Sequence, residues 1–458
     1  MCESELMQSL PIDITPKKPP AISNYLRPIK IQVCNRRVEE LVLDPSNPRR
    51  HPQKKIKQLA AGIQEFGFLV PVLIDGSGRV VAGHARVIAA KRLGLVEVPV
   101  VEVHHLSASQ LRAFRLADNK LALNASWDQR LLAKELKELT EIELDFSVSL
   151  TGFSTPEIDL IISKQHNTPI MEDLGAGASD ALVCRRGDVW QLGKHRIICA
   201  DPTLPSTFDI LMDGNRAETI FCDPIYSALI EGNVSGQERV KRSNSLQGSS
   251  EMSRDEFSRF LTEVCRNLGS SSMDGALHFV CMDWRHIDEM MAVGREIYSE
   301  LKNLVVWVKD NPGLGALYRS AHELIFIFKY GSAPHINNIE LGRHGPKRSN
   351  VWHYESMATS ERRGNKSLEI HPTVKPVNMI MDALLDCSER GAIVLDAFLG
   401  SGTTLLAAER TGRICYGVEL EPRYIDVAIR RWQNLTGEDA LLLGCGTSFN
   451  QMERNNER

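Results

Sequence analysis

The sequence lacks the marks of several protein classes. No apolar run approaches the roughly 20 residues that span a bilayer, so we expect no membrane helix and no membrane partner. The ten cysteines include no Cys-x-x-Cys pair, which disfavours a zinc site or a disulfide framework and favours reduced thiols in the cytoplasm. Strong charge is absent too, because 54 basic and 58 acidic side chains leave a net charge of −4. Any surface for nucleic acid must therefore be local.

Length and composition indicate a globular protein with more than one domain. The chain has 458 residues, 43% of them hydrophobic, which is ample for a core and is about three times the usual domain length. We expect six segments along the chain. These are an N-terminal tail at 1–37, a small α+β domain at 38–120, a helical bridge at 121–163, a linker at 164–180, a large domain at 181–440 and a C-terminal tail at 441–458.

Short β-rich runs and helical patterns alternate through the large domain. Alternation of this kind predicts an α/β fold, in which a mostly parallel sheet is flanked by helices. Ligands of such sheets bind beyond the carboxyl ends of the strands. The residues that follow predicted strands are therefore the candidates for chemistry.

Two predicted strand ends carry unusual motifs. The first reads Asp223-Pro224-Ile225-Tyr226, and the second is a glycine loop that runs from Asp396 to Thr404. This loop has neither the lysine and spacing of a P-loop nor the third glycine of a dinucleotide fingerprint, so ATP and NAD are disfavoured. By itself, each motif is only a modest indication of a binding site.

The order of four motifs is more specific. His371-Pro-Thr-Val-Lys-Pro376 lies between the two strand-end motifs, and Tyr416-Gly-Val-Glu-Leu-Glu421 follows the glycine loop. In this order, residues 181–440 resemble the β-class DNA amino-methyltransferases, which use S-adenosylmethionine as cofactor. The resemblance implies a Rossmann-like sheet, and it implies double-stranded DNA as the partner.

The resemblance also implies roles for individual residues. Asp223 and the Pro224 carbonyl would accept the two N–H groups of a target amino group, and Tyr226 would stack on the base after it has left the duplex. Glu419 would bind the cofactor ribose, and Asp201 its adenine end. The complete set implied for S-adenosylmethionine is Asp201, Thr373, Lys375, Phe398, Gly400, Gly402, Thr403 and Glu419.

Three functional readings remain open for this domain. Asp at the first position of the tetrapeptide favours adenine-N6 methylation, and cytosine-N4 methylation is the alternative. The third reading is a degenerate methyltransferase that only binds DNA, because Ile225, Ser227 and Ala397 depart from the family pattern. The expected contact atoms survive, so we predict a working enzyme with a less rigid motif. The sequence leaves open whether a restriction enzyme accompanies it.

Basic residues concentrate in two segments. Residues 342–366 hold six basic and two acidic side chains with interleaved aromatics, which predicts a DNA-facing loop. The alternative is a charged surface loop in which Trp352 packs on the core. The residues predicted to bind DNA are Arg343, Lys347, Arg348 and Trp352, with Arg239 and Lys241 in the second segment.

The smaller domain carries Gly83-His84-Ala85-Arg86 between a predicted strand and a helix. With this motif, residues 38–120 resemble the ParB-like (ParB/sulfiredoxin-type) family. The site expected from the resemblance is Gly83, His84 and Arg86. In it, Arg86 would contact phosphate at the helix N-terminus, either of a nucleotide such as CTP or of DNA, and His84 would assist. The alternative is a salt bridge at the helix start. No helix-turn-helix is recognisable in 107–163, no metal site is expected, and the oligomeric state stays open, a dimer included.

Overall fold

The structure, a computed structural model, describes residues 31–122, 124–142, 144–163, 182–224, 252–310, 318–339, 348–355 and 374–456. The chain forms two compact units. The first runs to Asp128 and includes Ile142–Gly152, and the second contains Gln129–Glu141 and continues from Phe153. The predicted bridge at 121–163 is therefore divided between the units. The predicted linker at 164–180 lies outside the described residues.

The first unit is built on a four-stranded sheet. Its strands lie in the order β1-β4-β2-β3, and only β2 and β4 are parallel. Buried valines and isoleucines such as Val72, Ile74 and Val100 form the core between the sheet and its helices. The elements are β1 (Val33–Arg37), α1 (Gln53–Phe66), β2 (Val72–Asp75), β3 (Val80–Ala82), α2 (His84–Leu93), β4 (Glu97–Val103) and α3 (Ala108–Leu121).

Strand β1 corrects the predicted N-terminal tail at 1–37. It pairs antiparallel with β4, with Val33 opposite Val101 and Arg37 opposite Glu97. All five of its residues are exposed, and most of them are polar, so no apolar pattern marks the strand in the sequence. Backbone pairing along the edge of β4 is what holds this segment.

The second unit is built on a ten-stranded sheet in the order β11-β9-β10-β8-β7-β12-β13-β6-β5-β14. The central strands β8, β7, β12, β13 and β6 are parallel. Each side of the sheet continues with antiparallel pairs, except that the edge strand β11 pairs parallel with β9. Its strands are β5 (Val189–Leu192), β6 (His195–Cys199), β7 (Ala217–Cys222), β8 (Ser272–Met282), β9 (Glu300–Val308), β10 (His322–Lys329), β11 (Val351–His353), β12 (Ile393–Asp396), β13 (Ile414–Glu419) and β14 (Leu441–Leu442).

Helices cover both faces of this sheet, and two large clusters of buried apolar side chains form its core. The predicted fold class, an α/β sheet flanked by helices and preceded by a small α+β domain, is confirmed. None of the helices in the described part of the chain is long and apolar enough to cross a membrane. The helices are α4 (Gln129–Glu141), α5 (Thr155–Ser163), α6 (Pro205–Met212), α7 (Arg254–Ser270), α8 (Ile287–Ile297), α9 (Val377–Cys387), α10 (Thr403–Thr411), α11 (Pro422–Thr436) and α12 (Phe449–Asn456).

The end of the chain corrects the predicted C-terminal tail at 441–458. Strand β14 pairs with β5, and helix α12 inserts Phe449 into the core, where its ring lies 5.4 Å from that of Trp190. Phe449 is fully buried. The segment reads as a tail in the sequence because α12 is mostly polar and Phe449 is its one buried side chain.

Candidate active site

The strand order brings four predicted site segments to one edge of the sheet. Asp223 and Pro224 follow β7, Asp396 ends β12, Glu419 ends β13 and Asp201 lies two residues after β6. These four strands are adjacent and parallel, so their carboxyl ends meet. The sequence predicted this edge from the motifs, and the topology assembles it from segments more than 200 residues apart.

The glycine loop is held by hydrogen bonds to two of these carboxylates. The Phe398 amide donates to Asp396 Oδ1 at 2.9 Å, and the Gly400 amide donates to Glu419 Oε2 at 2.8 Å. Gly402 has φ +85°, and a Cβ there would lie 2.8 Å from Cβ of Ala428. Thr403, which is buried, begins α10 directly after the loop, so the loop lies at the positive end of a helix.

Buried carboxylates dominate this part of the edge. Glu419 is 8% exposed, and its Oε1 also accepts from the Glu421 amide at 2.9 Å. Burial raises the pKa of Glu419, and burial raises the pKa of Asp396 to about 7. Asp201 differs, because its Oδ1 accepts from both the amide and the hydroxyl of Thr203 in the turn before α6. The edge is thus acidic and suits a ligand that carries positive charge.

Lys375 contacts Asp223 instead of standing apart from it. Its ammonium donates to Asp223 Oδ2, and its side chain is only 6% exposed. Asp223 Oδ1 is buried and has no hydrogen-bond partner among the described residues. The resemblance implied a cofactor contact for Lys375, and the structure places it on the predicted catalytic carboxylate.

Two further charged residues complete the site, and the sequence analysis assigned them no role. Glu323, near the start of β10, lies 3.1 Å from the Lys375 ammonium through Oε2, and Lys309, just after β9, donates to its Oε1. Strands β9 and β10 are antiparallel neighbours, so both residues reach the edge that holds Asp223. The signal available in the sequence was a charged residue beside an apolar run. Lys309 follows the apolar end of β9, and Glu323 precedes the apolar run of β10.

The electrostatics of this group follow from burial and charge alternation. Burial would raise the pKa of Glu323, but the ammonium groups of Lys375 and Lys309 outweigh it and lower the pKa to about 2. Burial raises the pKa of Asp223 despite the opposing charge of Lys375. Among the described residues, no group of three or more His, Cys, Asp or Glu side chains could hold a metal ion.

A second candidate site lies in the first unit. A cleft of about 360 Å³ is lined by the Gly83–Arg86 segment together with Arg49, His51 and Lys55. Gly83 has φ +101° and caps the N-terminus of α2. Nε2 of His84 and both ring nitrogens of His51 are buried without a hydrogen-bond partner in the described part of the chain. Arg86 donates from Nη1 to the Val70 carbonyl at 2.7 Å, which fixes its guanidinium beside the cleft.

Comparison with known protein families assigns both units. A family model described as DNA methylase matches residues 217–430, which include Asp223, Lys375, the glycine loop and Glu419. Over these residues the chain is similar to the DNA methylase family. We therefore call the second unit the methylase unit. The ParB N-terminal domain model matches residues 30–120, which confirms the predicted resemblance of the first unit.

A third family model corrects one expectation. The ParB-methyltransferase HTH domain model matches residues 130–182, which include α4 and α5. The expectation that 107–163 contains no recognisable helix-turn-helix was therefore wrong for residues 130–163. The two helices carry apolar faces typical of many helical hairpins, so periodicity alone does not distinguish them.

Relatives with a known class each match about half of this chain. The type II methyltransferase M2.MboI of Moraxella bovis is 24% identical over 229 residues, which are 48% of this chain and 82% of the relative. The type II methyltransferase M.HinfI of Haemophilus influenzae is 26% identical over 236 residues, which are 48% of this chain and 63% of the relative. Among solved structures, the M1.HpyAVI-SAM complex matches with 20% identity and a TM-score of 0.36 over 52% of this chain and 98% of that one.

The predicted DNA-binding residues of the methylase unit need correction where the structure describes them. Arg348 lies 2.7 Å from Asp382 and 3.1 Å from Asp386, both on α9, so its charge is already paired. Trp352 lies in β11, donates to the Ser349 carbonyl at 3.0 Å and packs against the core. These two residues anchor the segment to the methylase unit, as the core-packing alternative expected for Trp352. Six predicted residues lie outside the described residues: Tyr226, Arg239, Lys241, Arg343, Lys347 and Thr373.

Proposed function

We propose that the methylase unit transfers a methyl group from S-adenosylmethionine to the exocyclic amino nitrogen of a base in double-stranded DNA, and that this base is adenine. The observation that carries the proposal is the state of the Asp223 carboxylate. Its Oδ2 is held by Lys375, whereas Oδ1 is buried and lacks a hydrogen-bond partner among the described residues. An unsatisfied buried acceptor is costly unless a ligand donates to it.

An amino group on a purine or pyrimidine supplies the missing donor. Its lone pair is delocalised into the ring, so it is a poor nucleophile until its two N–H groups are directed to acceptors. Asp223 Oδ1 can accept one, and the Pro224 carbonyl can accept the other, which turns the lone pair towards the incoming methyl group. The task of these residues is alignment and charge stabilisation, and no covalent nucleophile takes part.

The other strand ends fit the proposed cofactor. When bound, S-adenosylmethionine supplies an electrophilic methyl group on a sulfonium that makes the molecule a net cation. The buried carboxyl groups of Glu419 and Asp396 would provide complementary charge with the cation bound, because a neighbouring positive charge favours their ionised forms. Glu419 accepts one amide on each oxygen and keeps further lone pairs for hydroxyl donors. The glycine loop before α10 leaves room for backbone contacts to a carboxylate.

The choice of adenine over cytosine is the finer part of the proposal. It is supported by Asp, rather than Ser, at position 223, which among related sequences leans towards adenine-N6. Cytosine-N4 methylation would use the same acceptors. A degenerate protein that only binds DNA is the remaining alternative, since Ile225, Ser227 and Ala397 depart from the family pattern.

Methyl transfer by the purified full-length chain tests the proposal. The protein is incubated with labelled S-adenosylmethionine and genomic DNA, and modified bases are identified by sequencing and mass spectrometry. We expect N6-methyladenine at a defined sequence. Asp223→Ala should reduce the rate by about 10²–10³-fold, the usual cost of removing one oriented polar group that acts on the reacting centre.

The exposed Asp209→Ala serves as the matched control and should retain full activity. N4-methylcytosine as the product would overturn the adenine assignment alone. DNA binding without any methylated base would show that the chain is a degenerate member of the family.

We propose as a second function that the first unit binds a nucleotide, with CTP as the first candidate. The support is the cleft beside Gly83, in which Arg49, Lys55 and Arg86 outnumber the single carboxylate of Asp118. Burial lowers the pKa of His51 and His84, so both imidazoles offer neutral ring nitrogens for hydrogen bonds.

Calorimetric titration of the full-length chain with CTP tests this second proposal. Lys55→Ala and His84→Ala should each weaken binding about tenfold, as expected when one contact worth about 1.4 kcal/mol is lost. Lys91→Ala, at an exposed position on α2, is the control. Equal affinity in all four proteins would exclude the cleft as the binding site.

A further inference from the structure

Four charged side chains of alternating sign form a row that ends at Asp223. Lys309 pairs with Glu323, Glu323 with Lys375, and Lys375 with Asp223. The four residues come from four places in the fold: Lys309 follows β9, Glu323 lies near the start of β10, Lys375 precedes α9 and Asp223 follows β7. Only Asp223 is placed to meet a base, so the other three act through it.

This row is not an ordinary surface salt bridge. The side chains of Lys375 and Glu323 are 6% and 11% exposed, and that of Asp223 is 21% exposed. The Trp307 ring lies beneath both lysines, with its centroid 5.1 Å from the Lys309 ammonium and 5.9 Å from the Lys375 ammonium. Burying four charges is expensive and gains little stability over an apolar core. The arrangement is better explained by what it does to Asp223.

One ammonium is shared between two carboxylates in this arrangement. Lys375 contacts Asp223 Oδ2 and also lies 3.1 Å from Glu323 Oε2. When the Lys375 ammonium interacts more strongly with Glu323, less of its positive charge compensates the negative charge of Asp223. When it interacts less strongly with Glu323, Asp223 is compensated more fully. Lys309 donates to the other oxygen of Glu323, Oε1, and therefore weakens the attraction between Glu323 and Lys375.

We propose that Glu323 and Lys309 are positioning residues of the methylase site, which set how much of the positive charge of Lys375 falls on Asp223. They touch neither base nor cofactor. In this role Lys309 helps to keep Asp223 ionised, and Glu323 preserves a strongly negative Oδ1 for the amino group. The inference deepens the proposed methyl transfer and rests on it.

Other groups near Asp223 do not replace this control. Asp396, at the end of β12, adds negative charge. Burial holds the pKa of the Cys222 and Cys281 thiols, on β7 and β8, well above their usual range, so both stay neutral. The charges that can offset one another around Asp223 are therefore those of Lys375, Glu323 and Lys309.

The two positioning residues should move the acid side of the pH–rate profile in opposite directions. Glu323→Gln removes a negative charge close to Asp223 that also competes with it for Lys375, which lowers the pKa of Asp223. Single-turnover methylation should then persist to lower pH than in the wild type, with a several-fold slower plateau. Lys309→Met removes a positive neighbour, so activity should be lost at higher pH than in the wild type.

Glu300→Gln is the matched control, because Glu300 pairs with Lys302 at an exposed position on β9. Its profile should coincide with that of the wild type. Affinities for DNA and S-adenosylmethionine should be unchanged in all variants. A merely structural role predicts reduced activity or affinity without opposite shifts, and that result would overturn the inference.

A crystal structure of each variant gives a second readout that needs no activity. In Lys309→Met, Glu323 should draw Lys375 towards itself and lengthen the contact between the Lys375 ammonium and Asp223 Oδ2. In Glu323→Gln, the Lys375 ammonium should keep its contact with Asp223 Oδ2 and move away from the side chain at position 323. If the wild type methylates nothing, the proposed function fails, and these distances still decide the inference: an unmoved Lys375 in Lys309→Met overturns it.

Discussion

At the scale of single residues, Asp396 shows how burial sets protonation at a strand end. Its Oδ1 accepts from the Phe398 amide and its Oδ2 from the Thr404 hydroxyl at 2.6 Å, yet no cation pairs with it among the described residues. Burial raises its pKa to about 7, with the nearby carboxylates of Asp223 and Glu419 acting in the same direction. The folded protein therefore retains a proton that the unfolded chain has already released.

Asp396→Asn should remove a pH dependence of stability. A carboxyl whose folded pKa lies above its unfolded value stabilises the fold fully below about pH 4 and loses that contribution as the pH rises to about 7. The advantage of the wild type over Asp396→Asn should fall by up to roughly 4 kcal/mol across this window and stay constant above it. Urea unfolding at a series of pH values measures the difference.

Asp209→Asn, at an exposed position, provides the control for the same substitution. A difference between the wild type and Asp396→Asn that does not vary from pH 4 to pH 7 would contradict the raised pKa.

The motifs predicted Asp223, the glycine loop and Glu419 as site residues, because their residue types are those that the implied chemistry requires. Partners were not predictable in the same way. Lys375 was predicted from its motif, but only the structure shows that it contacts Asp223 and Glu323. Arg348 looked like a DNA contact in a basic segment, whereas the structure pairs it with Asp382 and Asp386. A charge in a sequence does not show whether an opposite charge lies across the fold.

At the scale of elements, helices α4 and α5 are part of the methylase unit, and a buried ion pair connects α5 to the strands of its sheet. Asp159, on α5, is 4% exposed and lies 2.7 Å from Arg390 and 2.9 Å from Arg413. Arg413 precedes β13 and is itself fully enclosed, with further bonds to Ser388 and Thr411. These arginines lie at the amino ends of β12 and β13, so α5 packs at the edge of the sheet opposite to the active site.

Asp159→Ala should destabilise the methylase unit by about 3–5 kcal/mol, because it leaves two buried guanidinium groups without their shared carboxylate. Chemical unfolding of the full-length chain, followed by circular dichroism, measures the loss. Glu135→Ala, an exposed position on α4, should change stability by less than about 0.5 kcal/mol. Equal stability of the two variants would show that α5 does not depend on this ion pair.

Several elements carry strong internal patterns in the sequence itself. Strands β7, β8, β10, β12 and β13 are apolar runs, and α5 begins where Ser154 donates from its amide to Glu157 at 2.7 Å. Strand β1 and helix α12 were missed because each depends on a distant contact: pairing with β4 for one, and burial of Phe449 for the other. Their own composition does not indicate either contact.

At the scale of the whole molecule, the sequence by itself determined the fold class and the two family resemblances, and it predicted the candidate site motifs, because motif order and hydrophobic alternation are local properties of the chain. Only the tertiary structure decided which charges meet. The parallel order of β7, β12, β13 and β6 brings distant strand ends together, and the antiparallel pair β9 and β10 adds Lys309 and Glu323 beside them. Electrostatic control of Asp223 depends on distances of a few ångströms between such segments, and folding alone sets those distances.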